Sequence, residues 1–183
     1  MKEKLFKGKP KRINYEGRFL RFVTKGRWEY VERHNCSAIV LILAVTKEDE
    51  LIFVEQYRPP VNKRVIEFPA GLVNDEFLFR KESLYQAASR ELEEETGYRA
   101  QKFIKILKGP VSPGLTSDQI TMLKAVGLKK ISNGGGVGVE DIRVHKVPLK
   151  KVENWLKRMN KKGYFIEPKI YAGLYFLQKN NNR

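Results

Sequence analysis

Chemically distinctive residues are scarce in this chain. Its 183 residues include one cysteine, Cys36, and two histidines. A disulfide framework is excluded, and zinc, which favours thiolate and imidazole ligands, is disfavoured. Cys36 stands in "NCSAIVLILAV", a run that reads as a buried strand, so a small core residue is expected there rather than a nucleophile. No run approaches the ~20 uninterrupted apolar residues of a membrane span, and the lysine-rich start lacks the apolar core of a signal peptide. The expectation is a soluble, cytoplasmic protein with no membrane partner. There is also no internal repeat and no long low-complexity tract.

Acid is in short supply relative to base. Lysine and arginine number 36 against 21 aspartate and glutamate, for a formal net charge of +15. That balance favours anionic partners without identifying one. What acid there is concentrates in "RELEEETGY", residues 90 to 98.

The length suits one core domain with an appendage. Residues 1–35 form the appendage and 36–183 the main domain. In the first, "YEGRFLRFVTKG" and "RWEYVERH" alternate apolar and charged positions, as short antiparallel strands do, with turns at Gly17 and at Lys25-Gly26. A sheet this small needs another surface to pack on. In the second, "SAIVLILAVT", "ELIFVEQYR" and "RVIEFPAGLV" read as buried strands, with a turn at "KEDE". A helix is expected over 81–96, with Gly97 as its left-handed cap. Further strands follow at "AQKFIKILKGPV", "QITMLKAVGLKKI" and "DIRVHKVPL". Helices are expected at 149–162 and at "EPKIYAGLYFLQK", where Pro168 suits a first turn. Between strands, the glycine-rich "SNGGGVGVED" reads as a mobile loop.

On the 81–96 helix, with Glu91 set at zero and ~100° per residue, Leu84, Ala88, Leu92 and Tyr85 fall between roughly 20° and 120° and define an apolar face. Glu95 falls inside that face at about 40°, and Glu94 lies about 60° to the other side of Glu91. Glu93 and Glu82 point away, so Glu93 is expected on the surface. Carboxylates gathered at a core edge repel one another and are poorly solvated, so they call for a counter-charge. Arg90 can serve one of them at most. Oxygen-only ligands favour a hard divalent ion, Mg²⁺ or Mn²⁺, and such sites commonly handle phosphate.

Gly71, Glu82, Arg90-Glu91-Leu92, Glu94-Glu95, Gly97 and Tyr98 together resemble the Nudix box of the Nudix hydrolases. The match is complete from Glu82 to Tyr98. Where the family places five residues between the glycine and the first glutamate, this chain places ten, "LVNDEFLFRK". The extra residues are expected to enlarge the loop before the helix and leave the metal positions alone. "EQYRPP", "EFPAGL", "SPGLTSD" and "GVEDIRVHKVPL" are similar to the branch that hydrolyses ADP-ribose and other nucleoside diphosphate sugars, as is Pro113, sixteen residues after Gly97.

The resemblance implies an α/β protein with the Nudix fold, a mixed β-sheet sandwiched between α-helices. The small N-terminal antiparallel sheet would mediate a homodimer in which the arm is exchanged. It further implies Mg²⁺-dependent attack of water on a phosphoanhydride, with Mn²⁺ as an alternative ion. Glu91, Glu95 and the Ala70 carbonyl would be metal ligands, and Glu94 a further or water-mediated one. Glu82 would support the site and Arg90 would orient a carboxylate. The general base would be Glu140 on the glycine-rich loop, or its neighbour Asp141. Trp28 and Glu29 could hold the base of the substrate by stacking and hydrogen bonding, and Arg33 and Arg58 its diphosphate. ADP-ribose, GDP-mannose and other conjugates all stay open. An RNA end, which the basic surface could serve, and a non-hydrolysing binding module are the competing readings. The "SPG" segment and Trp28 argue against a nucleic-acid substrate, and the intact box argues against the module.

Overall fold

The computed structural model of the protein describes residues 7–74, 81–138 and 140–181. Three strands come first, β1 (Lys11–Glu16), β2 (Leu20–Lys25) and β3 (Trp28–Arg33). They form an antiparallel sheet in chain order. Val23 is its one side chain with no exposed surface, while Ile13, Tyr15, Leu20, Phe22 and Trp28 stay open to solvent. The sheet is tied to the rest of the protein at β3: the Val31 N–H donates to Leu115 O at 2.9 Å, and Ser117 N–H to Val31 O at 3.2 Å.

The main body continues with β4 (Ala38–Ala44), β5 (Glu50–Arg58), β6 (Lys63–Glu67), β7 (Ala70–Val73), α1 (Leu84–Thr96), β8 (Tyr98–Arg99), β9 (Lys102–Pro110), β10 (Gln119–Val126), β11 (Lys129–Lys130), β12 (Arg143–Pro148), α2 (Val152–Lys161), β13 (Phe165–Ile166) and α3 (Lys169–Asn181). One four-stranded sheet runs β7-β4-β10-β9 and a second runs β12-β5-β6-β13. Both are mixed, since β4 is parallel to β10 and β6 is parallel to β13.

Period-two alternation sorts the side chains of β4 between two cores. Leu41 and Leu43 join Phe53, Phe68 and Met122 under the helices α2 and α3. Val40, Ile42 and Ala44 join Ala87, Ala88 and Leu92 of α1. The sheets thus lie between α1 on one side and α2 with α3 on the other, the mixed sandwich expected from the family resemblance. Among the described residues, no helix is long and apolar enough to cross a membrane.

Four expectations need correction. "RVIEFPAGLV" is not one strand but two. It breaks at Phe68-Pro69, where proline has no N–H to continue a ladder, and β6 and β7 join different sheets. The first helix starts at Leu84 rather than 81, because Ser83 caps it: the Ser83 hydroxyl accepts from Gln86 N–H, and the Gln86 side chain accepts from Ser83 N–H at 2.7 Å. Tyr85, expected on its apolar face, is 48 % exposed. Cys36 is only half-buried and lies in the bend between β3 and β4, because pairing with β7 begins at Ala38 opposite Val73. The expected enlargement of the loop before α1 falls on residues 75–80, outside the described residues.

Candidate active site

Helix α1 buries Ala87, Ala88 and Leu92 against β4 and β7, which lays its carboxylate edge along β7. Glu95 ends up 6 % exposed, and its Oε2 accepts from the Ala70 N–H at 3.1 Å. Glu91 lies directly over Gly71: a Cβ there would stand 1.9 Å from the Glu91 carboxyl carbon. Only glycine admits that approach. The break at Pro69 therefore brings the backbone of Ala70 and Gly71 beneath both glutamates.

Arg90 does more than serve a single carboxylate. Its Nη2 donates to Glu82 at 2.9 Å and to Leu72 O at 3.1 Å, its Nη1 to Glu91 at 2.8 Å and Glu94 at 3.2 Å, and its Nε to Glu82 at 3.2 Å. A guanidinium has five N–H groups in a rigid fork, which the wheel counts as one charge. Burial works to lower the Arg90 pKa, but the Glu82 hydrogen bond and the Glu91 and Glu82 charges more than reverse this and raise it. Glu82 also corrects the wheel. It precedes the helix, so its carboxylate is free to turn back to Arg90 and to the Asn74 N–H at 3.1 Å.

Among the described residues, no arginine is hydrogen-bonded to Glu95 in this way. Burial above all, then the adjacent Glu91 charge, pushes its carboxyl well above the usual range; the Ala70 N–H opposes this, Glu140 adds to it, and Arg58 opposes it weakly. Glu93 faces elsewhere, paired with Arg99 at 2.7 Å and held by the Ser89 hydroxyl at 3.2 Å, and these partners lower its pKa.

A cavity of about 580 Å³ opens over Glu91 and Glu95, within the usual range for ligand sites. Ala70, Glu91, Glu95, Glu140, Arg33 and Arg58 all line it. Arg33 is paired with Asp118 at 3.2 Å and Arg58 with Glu67 at 2.8 Å. Glu94 and Arg90 are not among the cavity's lining residues. Trp28 and Glu29 begin β3 on the N-terminal sheet and do not line the cavity of their own chain.

The two base candidates separate cleanly. Glu140 reaches the cavity, its Oε2 accepting from the Val137 N–H at 3.0 Å, whereas Asp141 is paired with Arg64. The loop before them is fastened to the end of α1, with Gly135 N–H on Glu95 O at 2.9 Å and Gly136 N–H on Glu94 O at 3.0 Å. Gly134 makes this fit possible: it has φ +67°, and a Cβ there would come within 2.4 Å of the Thr96 carbonyl carbon. Loop and helix end thus satisfy each other's backbone groups.

Four further charged lining residues escaped the reading by motif, Glu67, Asp118, Glu167 and Lys169. The first two lie in "EFPAGL" and "SPGLTSD" and could have been drawn from those segments. The other two flank Pro168 as isolated charges and carry no signal of their own.

Among the described residues, no three His, Cys, Asp or Glu side chains converge as a finished metal cage. The buried carboxylate of Glu95 beside the half-buried one of Glu91 nevertheless suits a hard cation. Mg²⁺ keeps several waters and takes one or two carboxylates plus substrate phosphate oxygens, so a complete cage is not required.

Residues 35–157 match the NUDIX domain. The ADP-ribose pyrophosphatase of Bacillus subtilis (strain 168) is 30 % identical over 179 residues, 97 % of this chain and 91 % of that protein. The methanol dehydrogenase activator of Bacillus methanolicus is 35 % identical over 102 residues, 56 % of this chain, and the match spans only 52 % of that relative's length. A solved ADP compounds hydrolase superposes with a TM-score of 0.71 at 21 % identity, covering 93 % of this chain and 90 % of its own, which is a likeness of fold.

Proposed function

Because the chain belongs to the Nudix hydrolase family, we propose that it hydrolyses the diphosphate linkage of nucleoside diphosphate sugars, cutting ADP-ribose to AMP and ribose 5-phosphate. One observation carries this reading: two paired arginines, Arg33 and Arg58, share a cavity with the carboxylates Glu91 and Glu95 and with Glu140. An anion with two phosphates would find donors on one side and a cation-binding wall on the other.

The residues fit a divalent magnesium or manganese ion held by Glu91, Glu95 and the Ala70 carbonyl, with Glu94 acting through water. Bound there, it would neutralise diphosphate oxygens and lower the pKa of the attacking water. Glu140 accepts the proton of that water, from the loop fastened to α1. Arg33 and Arg58, each held by one carboxylate through Nε, exchange these partners for phosphate oxygens, to which a guanidinium binds as a fork. Arg90 keeps Glu91 and Glu94 in orientation, and Glu82 braces Arg90. Trp28 and Glu29 receive the nucleobase of a substrate in a partner protomer, in a homodimer built through the 1–35 arm against the 36–183 domain. Their distance from the cavity of their own chain and the exposed apolar side chains of that arm support this arrangement.

GDP-mannose and other conjugates are the second reading of the substrate, since a tryptophan face stacks on any base. The test is incubation of the protein, with Mg²⁺ or Mn²⁺, with ADP-ribose, GDP-mannose, NAD and triphosphorylated RNA, followed by product analysis. Release of AMP and ribose 5-phosphate is expected. Turnover of RNA ends alone, or tight binding of nucleotide sugars without cleavage, would replace the proposal with another.

A further inference from the structure

The part of the cavity beyond the carboxylates of α1 has a composition of its own. Its wall holds Arg58, Glu67, Glu167 and Lys169, two acids and two bases with no surplus charge. Local topology gathers them. Strand β13 runs parallel to β6 with Ile166 opposite Ile66, and the Glu167 N–H donates to Ile66 O at 3.0 Å. Glu67 and Glu167 therefore leave their strands side by side. Pro168 immediately precedes α3, whose first residue is Lys169. Arg58 pairs with Glu67 at 2.8 Å, and Lys169 pairs with Glu167.

Three features of this wall lack a structural need. Glu167 Oε2 is buried and finds no hydrogen-bond partner among the described residues, and an orphaned buried acceptor is costly. Lys169 occupies the first turn of a helix, where the helix dipole disfavours a cation. It is also drawn out of water, and that burial foremost lowers its pKa, with Glu67 acting against the trend and Arg58 along it. A salt bridge meant only to hold β13 and α3 would leave no acceptor unpaired.

We infer that this wall seats the hydroxyl-bearing sugar at the far end of the diphosphate, and that Lys169 and Glu167 select for it. A hydroxyl both donates and accepts, so the paired ammonium and carboxylate of Lys169 and Glu167, with Glu67 beside them, match a polyol. A further phosphate there would meet two carboxylates. Glu167 lines the cavity, and a turn of its carboxylate brings the unpaired Oε2 to a sugar hydroxyl, while Lys169 donates to a neighbouring one. The inference rests on the reading of the cavity as a nucleoside diphosphate sugar site, and names which end of the substrate occupies which wall.

The test compares ADP-ribose with the β-methyl ester of ADP, which keeps the diphosphate and lacks the second sugar, in wild type and in Lys169→Met and Glu167→Gln. Sites built to hydrogen-bond a hydroxyl discriminate strongly against analogues without it. In both variants kcat/KM for ADP-ribose should fall by about tenfold or more while that for the methyl ester changes little, so the preference of the wild type collapses. Equal loss on both substrates, or no loss on either, in variants whose thermal midpoint matches wild type would overturn the inference and leave the proposed function standing. If wild type cleaves neither compound, the proposed function falls. Calorimetric binding of α,β-methylene ADP-ribose in the presence of Mn²⁺ then decides the inference separately. Weaker binding to Glu167→Gln supports it, and unchanged binding refutes it.

Discussion

Glu55 and Glu95 are buried to nearly the same depth, 1 % and 6 % exposed, in opposite surroundings. Glu55 on β5 is hydrogen-bonded to His145 Nε2 at 2.9 Å, Arg64 at 3.1 Å and Arg143 at 3.4 Å. Glu95 on α1 receives one amide N–H and faces the charge of Glu91. A buried carboxylate is stable when its positive partners come with the fold, and reactive toward cations when they do not. On the function proposed above, the difference separates an acid of the architecture from an acid of the chemistry.

The largest effect should come from neutralising the two carboxylates of α1 that line the cavity. Glu91→Gln or Glu95→Gln should cut turnover by roughly 10²- to 10³-fold, the usual loss when one fixed electrostatic stabiliser is removed, with the fold intact by circular dichroism. Turnover within a fewfold of wild type would break the comparison. Next, Glu140→Gln should lower kcat by about 10²-fold, the lower range for a general base, while Asp141→Asn changes kcat little. The reverse ranking would move the base to the neighbouring residue. On the other side, Glu55→Ala should leave Mn²⁺ affinity unchanged yet lower stability in urea by about 2–3 kcal/mol. This is less than a fully buried pair costs because its cations retain some access to water. The smallest effect belongs to Glu93→Gln, whose partner Arg99 is on the surface. Turnover and thermal midpoint should both stay near wild type, and a loss of activity would place Glu93 in the site after all.

Much of this was legible in residues 82 to 98, because helical periodicity converts spacing into direction. That logic put Glu91 and Glu95 at a core edge and Glu93 elsewhere. It failed for Glu82 because a wheel extends a helix past its cap, and Ser83 ends it. It undercounted Arg90 because a wheel has no depth and cannot show a guanidinium reaching into three carboxylates. The break at Phe68-Pro69 was hidden inside an apolar run, yet it delivers Ala70 and Gly71 to the site. Glu167 and Lys169 reach the cavity only through the parallel pairing of β13 with β6, a contact between segments a hundred residues apart. No local pattern records such a pairing.

Under the proposed function, the carboxylate edge of α1 awaits a cation from outside the protein. Thermal midpoints recorded against rising Mn²⁺ or Mg²⁺, without substrate, test it in wild type and Glu95→Gln. Wild type should rise with the logarithm of free metal above Kd, reaching about 2.7 kcal/mol of added stability at a hundredfold excess over Kd. Glu95→Gln should start at or above the metal-free wild type, since it removes a desolvated charge, and should respond little to metal. The same metal response in both proteins, or a metal-free Glu95→Gln less stable than wild type, would contradict the account.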